Sequence, residues 1–199
     1  MFRKVKKVMI LIVFIFFALF FVTSSAFADR GIVLALSGGG AKGLAHIGVI
    51  KALEEEGVKI VGIVGTSMGA IVGGLSASGY DGAEIERIFR ELDLYELFWD
   101  GKDGNSPSSM ERPIIRLSYD EENRIMGRMG IIEGRDLYGE MLKYVSCVKT
   151  YDFMKFPIPF AAVATDLETG EMVVITKGNL ASAMRASMAL PGIFSPWLY

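Results

Sequence analysis

The sequence has very few of the residues that form disulfides or supply the base of a conventional serine triad. Of its 199 residues, one is cysteine and one is histidine. The lone cysteine, Cys147, excludes a disulfide within the chain and lies far from the N-terminus, where a lipid anchor would need it. The lone histidine, His46, is the only residue that could serve as the base of a Ser-His-Asp triad. Basic residues are also few: 21 lysines and arginines stand against 23 acidic residues, which argues against a nucleic-acid partner.

The first 28 residues lack acidic side chains and differ from the rest in composition. They hold 21 apolar and four basic residues, with an unbroken apolar run from residue 8 to 22. As a helix this run spans only ~22 Å, less than the ~30 Å core of a bilayer. Ala26 and Ala28 offer the small residues that a signal peptidase reads. We therefore expect residues 1–28 to be a cleaved signal peptide for export to the periplasm, the cell envelope or the medium; an uncleaved anchor is the alternative.

Residues 29–199 have the pattern of one α/β domain. The hydrophobic pattern and the turn residues predict strands, helices and short connections in alternation. The predicted strands are 31–36, 59–64, 159–165 and 172–176, and the predicted helices are 44–56, 68–78, 81–97, 134–144 and 179–186. The last two strands flank a turn and are expected to form a hairpin. The first two are joined by a helix, which predicts a parallel pair.

A glycine-rich loop follows the first predicted strand and precedes the first helix. It consists of Gly38, Gly39, Gly40, Ala41, Lys42 and Gly43. Such a loop points backbone N–H groups outward at the positive end of a helix, where a phosphate or an oxyanion can bind. A dinucleotide site also needs an acidic residue at the end of the next strand to bind the ribose. That acidic residue is missing here, which argues against a nucleotide-binding module.

A serine stands where the acidic residue would be. The second strand ends in Gly65, Thr66, Ser67, Met68 and Gly69. A G-x-S-x-G pentapeptide between a strand and a helix is typical of a nucleophile elbow, in which a sharp turn raises the serine hydroxyl above the sheet. The alternative is that Ser67 only caps the following helix. Because parallel strands end at the same edge, the glycine loop and Ser67 are expected to flank one crevice as oxyanion hole and nucleophile.

The base for Ser67 is harder to find. His46 lies in the helix after the glycine loop and precedes Ser67, the reverse of the α/β-hydrolase order. We therefore expect His46 to pack behind the loop and a carboxylate to act directly on the serine.

Five blocks in order make the sequence resemble patatin-like phospholipases over residues 31–199. They are Gly38 to Gly43, Ala45-His46-Ile47-Gly48, Gly65 to Gly69, Ala164-Thr165-Asp166-Leu167-Glu168-Thr169-Gly170-Glu171, and Ala186-Ser187-Met188-Ala189-Leu190-Pro191-Gly192-Ile193-Phe194. The resemblance implies a three-layer α/β/α fold with a mostly parallel sheet, a Ser-Asp dyad with Ser67 as nucleophile, and acyl-lipid substrates.

The resemblance also places the catalytic aspartate in a D-G-[GA] motif after the last block. No such motif follows that block in these 199 residues, so we expect the domain to continue beyond them and to supply the aspartate there. Asp81, in Asp81-Gly82-Ala83, matches the D-G-[GA] pattern. It lies 14 residues after Ser67, roughly 21 Å along a helix, and is better explained as a helix cap. Asp166 lies in the hairpin turn, where an aspartate suits local hydrogen bonds.

The sequence thus predicts a lipid acyl hydrolase of the phospholipase A, lysophospholipase or esterase type, acting on a membrane or lipid substrate without a metal or cofactor. The alternatives are a serine acyltransferase on lipid acceptors, or an inactive lipid-binding relative if the chain truly ends at Tyr199. Eight methionines are predicted to be mainly core, with an acyl channel as the alternative. They are Met68, Met126, Met129, Met141, Met154, Met172, Met184 and Met188.

Overall fold

The computed structural model describes residues 31–94, 97, 115–119, 125–129 and 132–199, with backbone only for 115–119 and 125–129. The predicted signal peptide, residues 1–28, lies outside these ranges. The strands are β1 (Ile32–Leu36), β2 (Ile60–Thr66), β3 (Ile115–Tyr119), β4 (Ile125–Met129), β5 (Phe160–Thr165) and β6 (Met172–Ile175). The helices are α1 (Ala45–Glu55), α2 (Met68–Ser78), α3 (Gly82–Glu91), α4 (Arg135–Val145) and α5 (Leu180–Ser187), with short 3-10 helices at Gly40–Leu44 and Phe153–Lys155.

Four strands form a mixed sheet in the order β1-β2-β5-β6. The first three are parallel, and β6 pairs antiparallel with β5, as expected for a hairpin. The register aligns Leu36 with Gly65 and Thr66 with Val163. The chain therefore leaves β1, β2 and β5 at one edge of the sheet. Strands β3 and β4 form a separate antiparallel pair.

Helix α2 lies at the centre of the core. Every residue from Met68 to Ala77 is buried, as expected for a helix that is apolar on all sides. Two glycines on it allow close packing: a Cβ on Gly73 would lie 2.7 Å from Cγ2 of Ile63 in β2, and one on Gly74 would lie 2.5 Å from Cε of Met184 in α5. Helices α2 and α5 thus pack tightly against each other and against one face of the sheet.

The other face of the sheet carries apolar side chains that are exposed. Val33, Met172 and Val174 are 64%, 71% and 51% exposed. The α/β fold and the parallel β1-β2 pair are as predicted. Helices α2 and α5, which have close contacts with the sheet, pack against its opposite face.

Helix α3 is shorter than predicted. The sequence favoured one helix over 81–97, but the chain leaves the helical conformation at Leu92, whose φ and ψ are −82° and 130°. A new turn starts at Asp93, whose carbonyl oxygen accepts from the N–H of Leu97 at 3.0 Å. The polar Asp93 after an apolar residue suits the start of a turn better than the interior of a helix, which explains the break.

Candidate active site

Ser67 lies in a sharp turn between β2 and α2 and adopts an uncommon backbone conformation. Its φ is 54° and its ψ is −120°, and no other non-glycine residue in the described ranges has a positive φ. Such a conformation costs energy and is typical of functional turns. Ser67 occupies the first position before α2, but its side chain makes no capping hydrogen bond. The interpretation of Ser67 as a simple helix cap is therefore wrong.

The two elbow glycines are required by close backbone contacts. A Cβ on Gly65 would lie 2.6 Å from the carbonyl carbon of Gly69 and 2.7 Å from Cα of Ala70. A Cβ on Gly69 would lie 2.7 Å from the carbonyl oxygen of Ser37. These distances are shorter than van der Waals contacts, and the neighbours are backbone atoms that cannot turn away. Any larger residue at either position would force the elbow open.

The glycine loop lies directly beside Ser67. A Cβ on Gly38 would be 3.2 Å from Cβ of Ser67 and 3.8 Å from its hydroxyl oxygen. Gly40 has a φ of 54° with open space around it, so glycine is needed there for the backbone conformation alone. The 3-10 helix starts at Gly40, and a Cβ on Gly43 would lie 2.6 Å from Cβ of Met68. The loop is thus packed onto the first residue of α2.

The remaining loop residues and elbow residues take positions around this contact. Ala41 and Lys42 are exposed in the 3-10 helix, with the N–H of Lys42 donating to the carbonyl of Gly39 at 3.2 Å. Thr66 ends β2 and is exposed, whereas Met68 is fully buried. The structure therefore brings together the predicted glycine loop and the predicted elbow at one edge of the sheet. The catalytic roles of these residues stay predictions.

A cavity of about 470 Å³ opens over Ser67. Its polar end holds the loop glycines, Thr66 and Ser67, and its remaining wall is mostly apolar. The lining residues are Gly38, Gly39, Gly40, Thr66, Ser67, Val163, Ala164, Thr165, Ala186, Ser187, Met188, Ala189, Leu190 and Pro191. A polar end beside a longer apolar wall suits a ligand with one reactive polar group and a hydrocarbon part.

His46 does not lie at this cavity. Its Nε2 is 2.9 Å from the carbonyl oxygen of Ser37, so the imidazole donates to the backbone just before the glycine loop. This contact confirms that His46 packs behind the loop. Helix α1, which carries His46, is therefore bonded to the backbone just before the glycine loop.

The two aspartates considered as bases are both engaged locally. Asp81 caps α3: its Oδ1 accepts from the N–H of Glu84 at 2.7 Å, while its own N–H donates to the Glu84 carboxylate at 3.0 Å. Oδ1 of Asp166 accepts from the N–H groups of Thr169 at 2.8 Å and Glu168 at 2.9 Å. These bonds, from Thr169 first and then Glu168, lower the pKa of the exposed Asp166 carboxyl below its ordinary value. Both aspartates thus have the structural roles predicted for them.

A second serine, Ser187, contacts the turn at Ser67, although the sequence predicted no role for it. The backbone N–H of Ser67 donates to the hydroxyl oxygen of Ser187 at 2.8 Å. That hydroxyl donates in turn to the carbonyl oxygen of Val163 at 2.5 Å. The only signal in the sequence was the block in which Ser187 stands, because no pattern connects residues 120 positions apart.

Of the described methionines, one lies at the cavity. Met188 lines its wall and is also part of the buried core, to which Met68, Met141 and Met184 belong. Met154 and Met172 are exposed on the surface. Four of the six described methionines, Met188 included, therefore lie in the buried core, as predicted for most of them, and among these six only Met188 also fits the alternative of an acyl channel.

The described residues offer neither a metal site nor a helix that could span a membrane. They contain no group of three or more His, Cys, Asp or Glu side chains that could hold a metal ion. No helix among them is both long enough and apolar enough to cross a membrane.

Comparison with known proteins decides the family. A sequence model described as Patatin-like phospholipase matches residues 34–198, which include the glycine loop, the elbow and the block around Ser187. The chain belongs to the patatin-like phospholipase family. An NTE family protein of Mycobacterium tuberculosis is 39% identical over 165 residues, which are 83% of this chain and 39% of that protein. The human patatin-like phospholipase domain-containing protein 6 is 32% identical over 165 residues, 83% of this chain and 10% of that protein.

The patatin-like chain therefore spans well under half of the length of these relatives. Among solved structures, the full-length ExoU of the type III secretion system of Pseudomonas aeruginosa, in complex with SpcU, aligns at a TM-score of 0.51. The alignment covers 81% of this chain and 38% of that one at 21% identity. At this identity the likeness concerns the fold, and it agrees with the mixed sheet and helices described above.

Proposed function

We propose that this patatin-like domain hydrolyses fatty-acyl esters of lipids, with Ser67 as the nucleophile. The observation that carries the proposal is the position of Ser67: a strained turn holds it beside the glycine loop, at the polar end of a cavity with an apolar wall. Acyl transfer from an ester needs a nucleophile and a group of donors for the developing negative charge. The family and the site geometry both support this reaction type.

In the proposed reaction the hydroxyl oxygen of Ser67 attacks the ester carbonyl carbon, and the carbonyl oxygen becomes an oxyanion. Backbone N–H groups of the loop from Gly38 to Gly43 stabilise that oxyanion. The start of the 3-10 helix at Gly40 leaves N–H groups without a helical partner, and such groups favour an anion. Removing one donor from an oxyanion hole commonly costs about 10²-fold or more in kcat.

The proton of Ser67 passes to an aspartate, which in this proposal lies outside the described residues. When the tetrahedral intermediate collapses, the aspartic acid returns the proton to the leaving alkoxide, and the acyl group stays on Ser67 as an ester. Water then attacks this ester, gives a proton to the aspartate, and releases the fatty acid with the Ser67 hydroxyl restored. The occupied carboxylates of Asp81 and Asp166 support a separate base.

The acyl chain in this proposal lies along the apolar wall of the cavity. Val163 of β5 is partly buried, Met188 just after α5 is buried, and Leu190 is 59% exposed near the opening. Burial of a methylene group contributes about 0.8 kcal/mol, so several carbons along this wall would hold a substrate firmly. The flexible thioether of Met188 can adapt to chains of different length.

The test is fatty-acid release by the full-length protein from vesicles of diacyl phospholipid and from micelles of lysophospholipid. Ser67→Ala should lose at least 10³-fold in kcat, as expected when a nucleophile is removed. Ser78→Ala is the matched control, because Ser78 lies at the other end of α2 and its hydroxyl only donates to the carbonyl of Leu75 at 2.8 Å. Lipolysis that survives in Ser67→Ala would overturn the proposal. Transfer of the acyl group to an added lysolipid or alcohol, in preference to water, would favour an acyltransferase.

We also propose that the protein is exported, on the basis of the basic start and the apolar run in residues 1–28. Fractionation of cells that express the full-length protein, with N-terminal sequencing, tests this. A mature N-terminus near residue 29 in the exported fraction is expected. An intact leader in the cytoplasmic fraction would contradict it.

A further inference from the structure

The hydroxyl group of Ser187 connects the nucleophile turn to the neighbouring strand. It accepts from the N–H of Ser67 at 2.8 Å and donates to the carbonyl oxygen of Val163 in β5 at 2.5 Å. Both bonds join residues that are distant in sequence, and all three residues line the same cavity. The hydroxyl of Ser187 therefore acts as a bridge between the elbow and β5.

This bridge satisfies a donor that the elbow would otherwise leave open. With a φ of 54°, Ser67 departs from the strand before its own N–H can continue the pairing of β2 with β5, whose last aligned pair is Thr66 and Val163. A partly buried N–H without an acceptor is costly. The Ser187 hydroxyl supplies that acceptor while Ser67 lines the cavity.

The same geometry defines what Ser187 cannot do. Its proton is committed to the Val163 carbonyl, so it is not a base for Ser67. The N–H of Ser67 is committed to Ser187 as well, and it is therefore unavailable to an oxyanion. The oxyanion donors must then come from elsewhere at the cavity, which agrees with the glycine loop beside Ser67.

Ser187 is held in place by the helix that carries it. It is the last residue of α5, and Met184 of the same helix packs against Gly74 of α2. The buried guanidinium of Arg185 donates through Nη2 to the carbonyl oxygens of Glu133 at 2.7 Å and Ser195 at 2.9 Å. Helix α5 is thus fixed on two sides, and its end presents a rigid acceptor to the elbow.

We propose that Ser187 is a positioning residue for the nucleophile: its hydroxyl holds the N–H of Ser67 and thereby the strained turn in the reactive geometry. This inference rests on the proposed function of Ser67. A small displacement of a reacting group can cost about 10²-fold in rate. Loss of the bridge should therefore lower kcat while substrate binding along the apolar wall is largely kept.

The experiment compares Ser187→Ala, Ser187→Thr and Ser182→Ala in the full-length protein. Ser187→Ala is expected to lower kcat for lysophospholipid hydrolysis about 10- to 100-fold with KM within about threefold of the wild type. Ser187→Thr keeps the hydroxyl and should recover at least part of kcat. Ser182→Ala is the control. Ser182 lies in the same helix, and its hydroxyl oxygen accepts a comparable bond from Nε1 of Trp197 at 2.7 Å, which the substitution removes. That bond does not involve the elbow. The kcat of Ser182→Ala should stay near that of the wild type.

Hydrogen exchange gives a readout that is independent of turnover. The amide of Ser67 should exchange at least about tenfold faster in Ser187→Ala than in the wild type, because its acceptor is gone.

If Ser187→Ala does not fold, Ser187→Cys carries the same test, since its sulfur is a weak acceptor. The kcat of Ser187→Cys should fall while its circular dichroism spectrum stays that of the folded protein. Wild-type kcat or unchanged Ser67 exchange in a folded Ala or Cys variant would overturn the inference. Full lipolysis by Ser67→Ala would instead overturn the proposed function, so the two failures are distinguishable.

Discussion

The elbow after β2 and the turn after β5 leave the same edge of the sheet, but their surroundings differ. Ser67 contacts residues that are remote in sequence: Gly38 lies beside its side chain, and Ser187 binds its N–H. The turn from Asp166 to Gly170 is exposed, and the N–H of Gly170 donates to the carbonyl of Asp166 itself at 2.9 Å. Position at the carboxyl end of a strand is therefore insufficient for a site; the elbow differs because three elements converge on it.

The largest expected effect comes from adding a methyl group at the elbow. Gly65→Ala places a Cβ within 2.7 Å of backbone atoms in Gly69 and Ala70. Overpacking of this kind costs about 1–3 kcal/mol, and we expect the upper end, together with loss of lipolysis. Gly170→Ala is the matched change in the turn: its φ is +73° with open space around it. It should cost only about 1–2 kcal/mol, from the backbone conformation alone.

Urea unfolding and lipolysis of both variants test this contrast. If Gly65→Ala kept wild-type activity and stability, the close contacts of the elbow would have no importance. If Gly170→Ala abolished activity in a folded protein, the turn after β5 would belong to the site after all.

A smaller effect is expected from His46, which supports the glycine loop from behind. His46→Ala removes the donor to the Ser37 carbonyl, a bond of 2.9 Å. A hydrogen bond of this type contributes about 0.5–1.5 kcal/mol, so kcat/KM should fall by about 2- to 10-fold. His46→Gln keeps a hydrogen-bond donor, so its kcat/KM should fall less than that of His46→Ala. A loss of 10³-fold or more in folded His46→Ala, measured by fatty-acid release, would indicate that His46 takes part in proton transfer.

The smallest effect is expected for Asp166→Asn. The pKa of Asp166 is lowered by hydrogen bonds from Thr169 and Glu168, so the charged form is favoured in the folded state. The contribution to stability is therefore present above the ordinary pKa near 3.8 and is lost as the pH falls through the lowered folded value. The difference in Tm between wild type and variant should shrink at acidic pH, while lipolysis at neutral pH stays unchanged. A strong loss of neutral-pH activity would make Asp166 the base.

Local signals in the sequence predicted much of the fold. Asp81 was predicted to cap a helix, and both bonds of a capping box between Asp81 and Glu84 are present. Two helices were predicted to end at residues 56 and 78, and Gly57 and Gly79, with φ of 66° and 119°, follow those ends. These features depend on neighbouring residues, so a short stretch of sequence determines them. The end of α3 at Leu92 was missed because apolar periodicity continued past it.

The site was only partly predictable for a related reason. The glycine loop and the elbow were recognised because each is a continuous motif with a strand before it and a helix after it. Ser187 was missed because its importance lies in a contact with Ser67 across the fold, and a serine at the end of a helix has no distinctive pattern. The exposed apolar face of the sheet also depends on which elements cover it, and strand patterns alone do not determine that.

The most direct test of the account is to identify the residue that forms the covalent intermediate. The full-length protein is treated with a fluorophosphonate that carries an alkyl chain, and the adduct is located by peptide mass spectrometry. If Ser67 is the nucleophile and Ser187 positions it, one adduct is expected, on Ser67; it should be absent from Ser67→Ala and form more slowly in Ser187→Ala. An adduct on another serine, Ser187 included, or labelling that persists in Ser67→Ala, would contradict it.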